Sequence, residues 1–230
     1  MSTTTAPSAP STNDVDECPP ETRITKSLLG YGIIAGPFYV IASLTQALLR
    51  EGFDLSRHSW SLLANGALGW VHVMVLILTG LMVTAAAVGV SRQLRSRIAG
   101  VALGVYGAGM VGAGIFPADP ADGFPVGTPA GMPDVTTLGL LHFAFGGVGF
   151  LAFTVACAVI ARGYFKARDT RWAAFSLATG VIFFAAFAGL ASGGTGPLVL
   201  AFVAAVVLAW SWLTALNLRL FRDAVAMRAS

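Results

Sequence analysis

The sequence predicts an all-α, polytopic membrane protein in which six transmembrane helices form three tandem hairpins. Hydrophobic residues make up 56% of the 230 and charged residues only 11%, against about a quarter charged in a soluble globular domain. There is too little polar surface here to cover a water-soluble body of this size. Apolar runs of roughly 20 residues recur, the length that crosses a hydrocarbon core about 30 Å thick. The basic residues, finally, collect in short segments beside every second run instead of forming a patch.

The first 26 residues are rich in Ser, Thr and Pro and carry Asp14, Asp16, Glu17 and Glu21. Such a stretch cannot bury enough apolar surface to fold alone, so it is expected to be a disordered cytoplasmic tail. Its acidic character and the full-length span that follows do not fit a cleaved signal peptide, which needs a basic start and a short apolar region. The membrane domain is expected over residues 27–218, and residues 219–230 read as a short basic cytoplasmic tail. Six spans are expected: Ser27–Leu49, Ala67–Val90, Ile98–Phe116, Thr137–Ala161, Trp172–Ala191 and Leu198–Leu218. Each must be helical because lipid offers the backbone no hydrogen-bond partner, and the runs lack the alternation of barrel strands.

Lysine and arginine set the orientation. Twelve of the fourteen lie in the N-terminal tail, after the second span, after the fourth and after the sixth; only Arg50 and Arg57 fall on the opposite side. The positive-inside rule then places both termini in the cytoplasm, and the plasma membrane is the expected location. The same distribution explains the net charge of +3 without nucleic acid; the lipid bilayer is the implied partner. Trp60 and Trp70 near the outer boundary, and Tyr164 and Trp172 near the inner one, suit interfacial belts. Cys18 and Cys157 fall in segments that would not meet, so neither a disulfide nor a cysteine metal site is expected.

The outer loops differ in character. The first holds Glu51, Asp54, Arg57 and His58; the second holds Asp119, Asp122 and Asp134 among Pro117, Pro120, Pro125, Pro129 and Pro133. Proline fixes φ and removes a donor, so this loop is expected to be ordered and non-helical. The third, Ser192–Gly196, is little more than a turn. Two spans open on the same pattern, Leu68-Gly69-Trp70-Val71-His72 and Leu138-Gly139-Leu140-Leu141-His142. These matching LGxxH starts suggest a two-helix hairpin repeated in parallel, with the last two spans a reduced copy.

The candidate polar cluster comprises Asp54, Arg57, His58, Ser59, His72, Asp119, Asp122 and His142, with Ser61 beside it. His72 shares a helical stripe with Asn65, Gly69 and Thr79, and His142 one with Gly139, Gly146 and Gly149, so both should face the bundle interior. One reading makes the histidines hydrogen-bonded ties between helices; the other makes them a site, since polar groups at depth are costly and often functional. His58, His72, His142 and Asp119 supply the nitrogen and oxygen donors that zinc accepts, and a metal-bound water would then be the nucleophile for hydrolysis. No HExxH, HxxxH or close histidine pair marks such a site. For the carboxylates the plainer reading is a solvated acidic loop. Arg57 is read either as a lipid-phosphate contact or as an ion pair to Asp54 or Asp119 that pins the loops together. No span carries an Asp, Glu, Lys or Arg in its middle, which argues against ion-coupled transport. Glycines 32, 36, 100, 104, 107 and 112 are expected packing surfaces.

A first outer segment of the type D-x-x-x-H-S-x-S-x-L-x-x-G (Asp54, His58, Ser59, Ser61, Leu63, Gly66), a third span ending Gly114-Ile115-Phe116-Pro117-x-Asp119 and a histidine opening the fourth span complete a pattern. It resembles the bacterial integral-membrane family called domain of unknown function 998, over roughly residues 27–218. The resemblance implies a six-helix membrane protein and supplies no activity. Three readings of function stand open: a structural or interaction protein with an outward-facing His/Asp cluster, a metal-assisted hydrolase acting on lipid or envelope material, and a small-solute permease or sensor. The last needs a continuous polar path through the bundle.

Overall fold

The structure, a computed structural model, describes residues 20–131, 135–193 and 196–226, with residues 225 and 226 described without their side chains. Six α-helices, each long and apolar enough to cross a membrane, account for most of it: α1 (Pro20–Leu49), α2 (Gly69–Leu94), α3 (Arg97–Ile115), α4 (Thr137–Lys166), α5 (Thr170–Ala191) and α6 (Pro197–Ala226). No strand occurs among the described residues; the nearest thing is one isolated bridge between Ala121 and Phe124. The protein is all-α, as the sequence predicts.

Several helix boundaries are set by identifiable residues. α1, described from Pro20 onward, is already helical before the expected span at Ser27. The Asp14, Asp16 and Glu17 of the tail, Cys18, Pro133 and Asp134 lie outside the described residues. Ser96, Thr136 and Asp169 cap α3, α4 and α5, accepting from the N–H groups of Ala99, Gly139 and Trp172 at 3.3, 3.2 and 3.2 Å. α2 stops at Arg95, whose φ of 50° is left-handed.

Each helix packs on the next in the chain, and α1 closes against α6, with α2 also touching α6. Glycine permits the closest approaches. A side-chain carbon at Gly80 would sit 2.5 Å from the Gly107 carbonyl, and one at Gly107 would meet Gly80 in return, so α2 and α3 touch backbone to backbone. Gly32, Gly36, Gly100 and Gly112 play similar parts, whereas a side-chain carbon at Gly104 or Gly146, both expected on packing faces, would meet no neighbouring element within 4 Å. Aromatic rings from α1, α3, α4, α5 and α6 fill the middle: Tyr39, Tyr106, Phe153, Phe183 and Trp210 pack with centroids 4.9–6.0 Å apart, the offset and edge-on range that aromatic pairs prefer.

Candidate functional site

The two long loops meet at one end of the bundle and form a cap. The first contains a 3-10 turn, Trp60–Ala64, which the sequence reading treated as loop. Arg50 fixes this turn: its guanidinium donates to the carbonyls of Leu63 (2.7 Å) and Asn65, and lies 5.0 Å from the Phe124 ring centroid. Burial lowers the pKa of Arg50, but carbonyls and a ring face keep a guanidinium well solvated by protein. Arg50 is therefore turned inward onto the cap and away from lipid phosphate. Asn65, expected on the stripe of His72, lies beyond the N-terminus of α2 and donates instead to the Ala118 carbonyl at 3.0 Å, joining the two loops.

His58 is the keystone of the cap. Its Nδ1 accepts the N–H of Asp54 and its Nε2–H donates to the carbonyl of Asp122, both at 2.9 Å. The ring is buried between Phe53 and Phe124, 5.2 and 5.6 Å away. Both nitrogens are engaged, so neither is left for a metal. Asp54 turns its carboxylate onto Ser56, accepting from its N–H (2.8 Å) and hydroxyl (2.7 Å), and these bonds hold the carboxyl below its ordinary range. Arg57 reaches neither Asp54 nor Asp119 as its hydrogen-bond partner. It grips Asp122 of the other loop with Nε at 3.2 Å and Nη2 at 2.8 Å, the bidentate geometry a guanidinium favours. That bond lowers the Asp122 pKa and raises that of Arg57. Ser59 precedes the 3-10 turn, its hydroxyl 3.2 Å from that of Ser61.

The second loop closes on α4. Asp119 accepts the N–H of Thr136 at 2.9 Å and its hydroxyl as well, placing a carboxylate at the positive end of the helix. Gly139 is required there, since any side chain would collide with the Asp119 carboxylate. Three residues on, His142 donates its Nδ1–H to the carbonyls of Ala113 and Phe116, each at 2.9 Å, and so ties α4 to the last turn of α3.

His72 occupies the matching place in the first hairpin. Its LGxxH glycine, Gly69, admits the Ala64 carbonyl where a side chain would clash, and His72 reaches back to α1, where Nδ1 faces Gln46 Nε2 at 3.4 Å. Each LGxxH histidine thus returns to the helix before it in its own hairpin. The difference is in completeness. Gln46 Nε2 also donates to the Ala42 carbonyl, so it is the donor toward His72, which leaves the proton on His72 Nε2. That N–H is fully buried and has no partner among the described residues.

The expected convergence of Asp54, His58, Asp119 and the two helix histidines on one point is not what the structure shows. No three His, Cys, Asp or Glu side chains among the described residues come together as a metal-ligand set. His58, His142 and Asp119 are turned to backbone and hydroxyl partners, and His72 to an amide. Trp60 was expected in an interfacial belt, but the cap buries it to 3% exposure, while Trp70 is exposed. Cys157 is free and packs against Gly180 of α5. The sequence reading missed a second polar region, inside the bundle, because it searched the spans for charge and passed over the amides Gln46 and Asn217. At the far end, Arg219 lies 4.8 and 4.9 Å from the ring centroids of Tyr164 and Trp172 and is paired to Asp169 at 2.8 Å.

Six long apolar helices under a cap of hydrogen-bonded loops define a multi-pass integral membrane protein in a lipid bilayer. A family model described as protein of unknown function (DUF998) matches residues 33–219, from α1 to the far end of α6, and the chain belongs to that family. No curated protein and no solved structure matches it.

Proposed function

We propose that this is a plasma-membrane protein with both termini in the cytoplasm, whose outward cap acts by structure and interaction. The observation that supports this reading is the state of the cap's candidate groups. Both nitrogens of His58, both oxygens of Asp119 and the Nδ1 of His142 are already hydrogen-bonded within the protein. A metal-assisted hydrolase would need at least three ligands free to converge and an open coordination position. The orientation rests on the distribution of Lys and Arg.

The role of the cap is tested by metal analysis of purified protein alongside unfolding with and without chelator. Trace metal and an unchanged midpoint are expected; stoichiometric metal that disappears in His142→Ala overturns the reading. Orientation is tested in a background with Cys18 and Cys157 replaced by alanine. An impermeant thiol reagent added to intact cells should label Ala130→Cys, in the second outer loop, and spare Ala167→Cys, between α4 and α5; the reverse pattern inverts the topology.

One observation favours a second reading, the small-solute permease or sensor. Among the described residues, Ser43, Gln46, His72, Trp210, Thr214 and Asn217 each leave a buried polar atom unpaired on α1, α2 or α6, between which a path would have to run.

A further inference from the structure

Trp210 and Trp212 sit two residues apart on α6 and are both buried, at 2% and 0% exposure. The Trp212 N–H donates to the Ser176 hydroxyl of α5 at 3.0 Å; the Trp210 N–H has no partner among the described residues. The hydroxyls divide in the same way. Thr79, Thr84, Thr154, Thr179 and Ser211 donate to the carbonyl four residues back, the usual resolution inside a helix. Ser43 and Thr214 do not. With Gln46 Oε1, Trp60 Nε1, His72 Nε2 and Asn217 Oδ1, these unpaired atoms all belong to α1, α2, α6 and the 3-10 turn above them. Two further unpaired atoms, Tyr164 Oη and Arg219 Nε, lie apart from these at the far end of the bundle, where Arg219 stacks on Tyr164.

They also form a line. The Tyr39 ring is 5.7 Å from Trp60, 6.2 Å from His72 and 4.9 Å from Trp210 by centroid. Trp210, Thr214 and Asn217 follow one another at intervals of four and three residues, hence on one face of α6. That face meets α1, for a side chain at Gly36 would strike Thr214 and one at Gly32 would strike Asn217. From Gly32 to Gln46 along α1 is roughly 21 Å at helical rise, most of a hydrocarbon core about 30 Å thick. Pro37, within this stretch, withholds the N–H that the Ile33 carbonyl would otherwise receive.

Unpaired buried polar atoms are rare because each one costs the desolvation of its group. Seven along one seam call for an occupant. It must accept from the N–H groups of Trp60, His72 and Trp210 and donate to Gln46 Oε1 and Asn217 Oδ1. It must also be uncharged, since no ionised side chain lines the group and an unpaired ion is costly there. Water supplies both donors and acceptors and commonly bridges such groups. We propose that the seam between α1, α2 and α6 holds a file of bound water running from Trp60, Gln46 and His72 toward Asn217. The proposal bears on transport only through the second reading above, because bound water does not require flux.

The test is hydroxyl-radical footprinting of the full chain in lipid nanodiscs, where radicals formed from bound water oxidise the side chains beside it. Trp212 is the internal control. Modification of Tyr39, Trp60 and Trp210 several-fold faster than Trp212 is the expected result; Trp210 as protected as Trp212 overturns the proposal. Trp210→Phe keeps the packing and removes one donor, and should lower the modification of Tyr39; an unchanged rate there counts against the file. Osmotic swelling of proteoliposomes separates the two claims. Water permeability no greater than in empty vesicles, with the footprint intact, overturns the permease reading and leaves the bound water standing.

Discussion

The protein has two polar regions built on opposite terms. In the cap, almost every polar side chain that leaves water finds a partner: His58 makes two hydrogen bonds, Asp119 two, Arg50 two, Asn65 two. In the seam between α1, α2 and α6, six polar atoms find none among the described residues, and Trp60 Nε1 of the 3-10 turn joins them from the cap. The contrast follows from the kind of chain involved. A loop can bend its carbonyls and amides toward a side chain, whereas a helix has already committed its backbone to itself. A polar side chain between helices must find another side chain, turn back on its own carbonyls or meet a small molecule. Completeness in the cap therefore means rigidity, and incompleteness in the seam leaves buried donors and acceptors for a small molecule to satisfy.

The largest expected effect tests the complete side. His58→Leu removes a ring held between Phe53 and Phe124 and leaves the Asp54 N–H and the Asp122 carbonyl without it. A loss of about 2–4 kcal/mol is expected from two orphaned groups and disturbed packing, read from denaturant unfolding in mild detergent. A change near zero would mean that the cap does not hold the helices together.

Next comes the tightness of the seam. At Gly32 an added carbon would lie 2.3 Å from Asn217 Cγ, so Gly32→Ala must push the amide aside, at a cost of about 1–3 kcal/mol. Asn217→Ala clears the obstruction, and the double variant should recover most of the loss. Failure to recover would place the strain in the helix backbones and not at the amide.

His72→Leu sharpens the comparison directly, because His72 and His58 are both buried histidines with opposite accounts. If bound water completes His72, its loss removes about one hydrogen bond, near 1 kcal/mol. It should cost clearly less than His58→Leu. Outright stabilisation would indicate a dry seam in which the N–H is simply unpaired.

How far the sequence reaches differs between these regions for the same physical reason. Six helices were legible because apolar length and the confinement of charge are properties of the chain itself. The burial of His72 and His142 was legible too, but the glycine three residues before each, expected at a helix–helix contact, makes room instead for the Ala64 carbonyl and the Asp119 carboxylate. The partners were not. Nothing in D-x-x-x-H says that the imidazole will accept from the Asp54 amide and that the carboxylate will turn to Ser56, since both depend on loop geometry. For Arg57 the sequence left a lipid-phosphate contact and an ion pair to Asp54 or Asp119 both open, and the partner found is Asp122, which sits in a turn with a φ of 52°. Trp60 was assigned to the lipid interface because its sequence position cannot reveal a 3-10 turn folding back beneath the cap. Gln46 and Asn217, polar amides inside apolar spans, were the one available sign of the seam.

The smallest effect concerns the most exposed link in the cap. Arg57 and Asp122 join the two loops with side chains 50% and 29% exposed, so water and salt screen the pair. The hydrogen bond from Arg57 is the first cause of the lowered Asp122 pKa. The unfolded chain therefore binds a proton at a pH where the folded chain still holds the carboxylate charged, and stability rises with pH through that window. The contribution is fully present above the unfolded carboxyl value of about 4 and is lost as pH falls through the lower folded value. Asp54, also lowered, titrates in the same direction, so the acid limb of the wild type alone cannot be assigned to one carboxyl. Arg57→Gln separates them. Its stability should lie slightly below wild type at neutral pH, and the gap should narrow with added salt and close as the solution is acidified below the carboxyl range. A gap that survives full acidification would show that Arg57 acts mainly through its bond to the Asp122 carbonyl, 3.3 Å away, a contact that does not titrate.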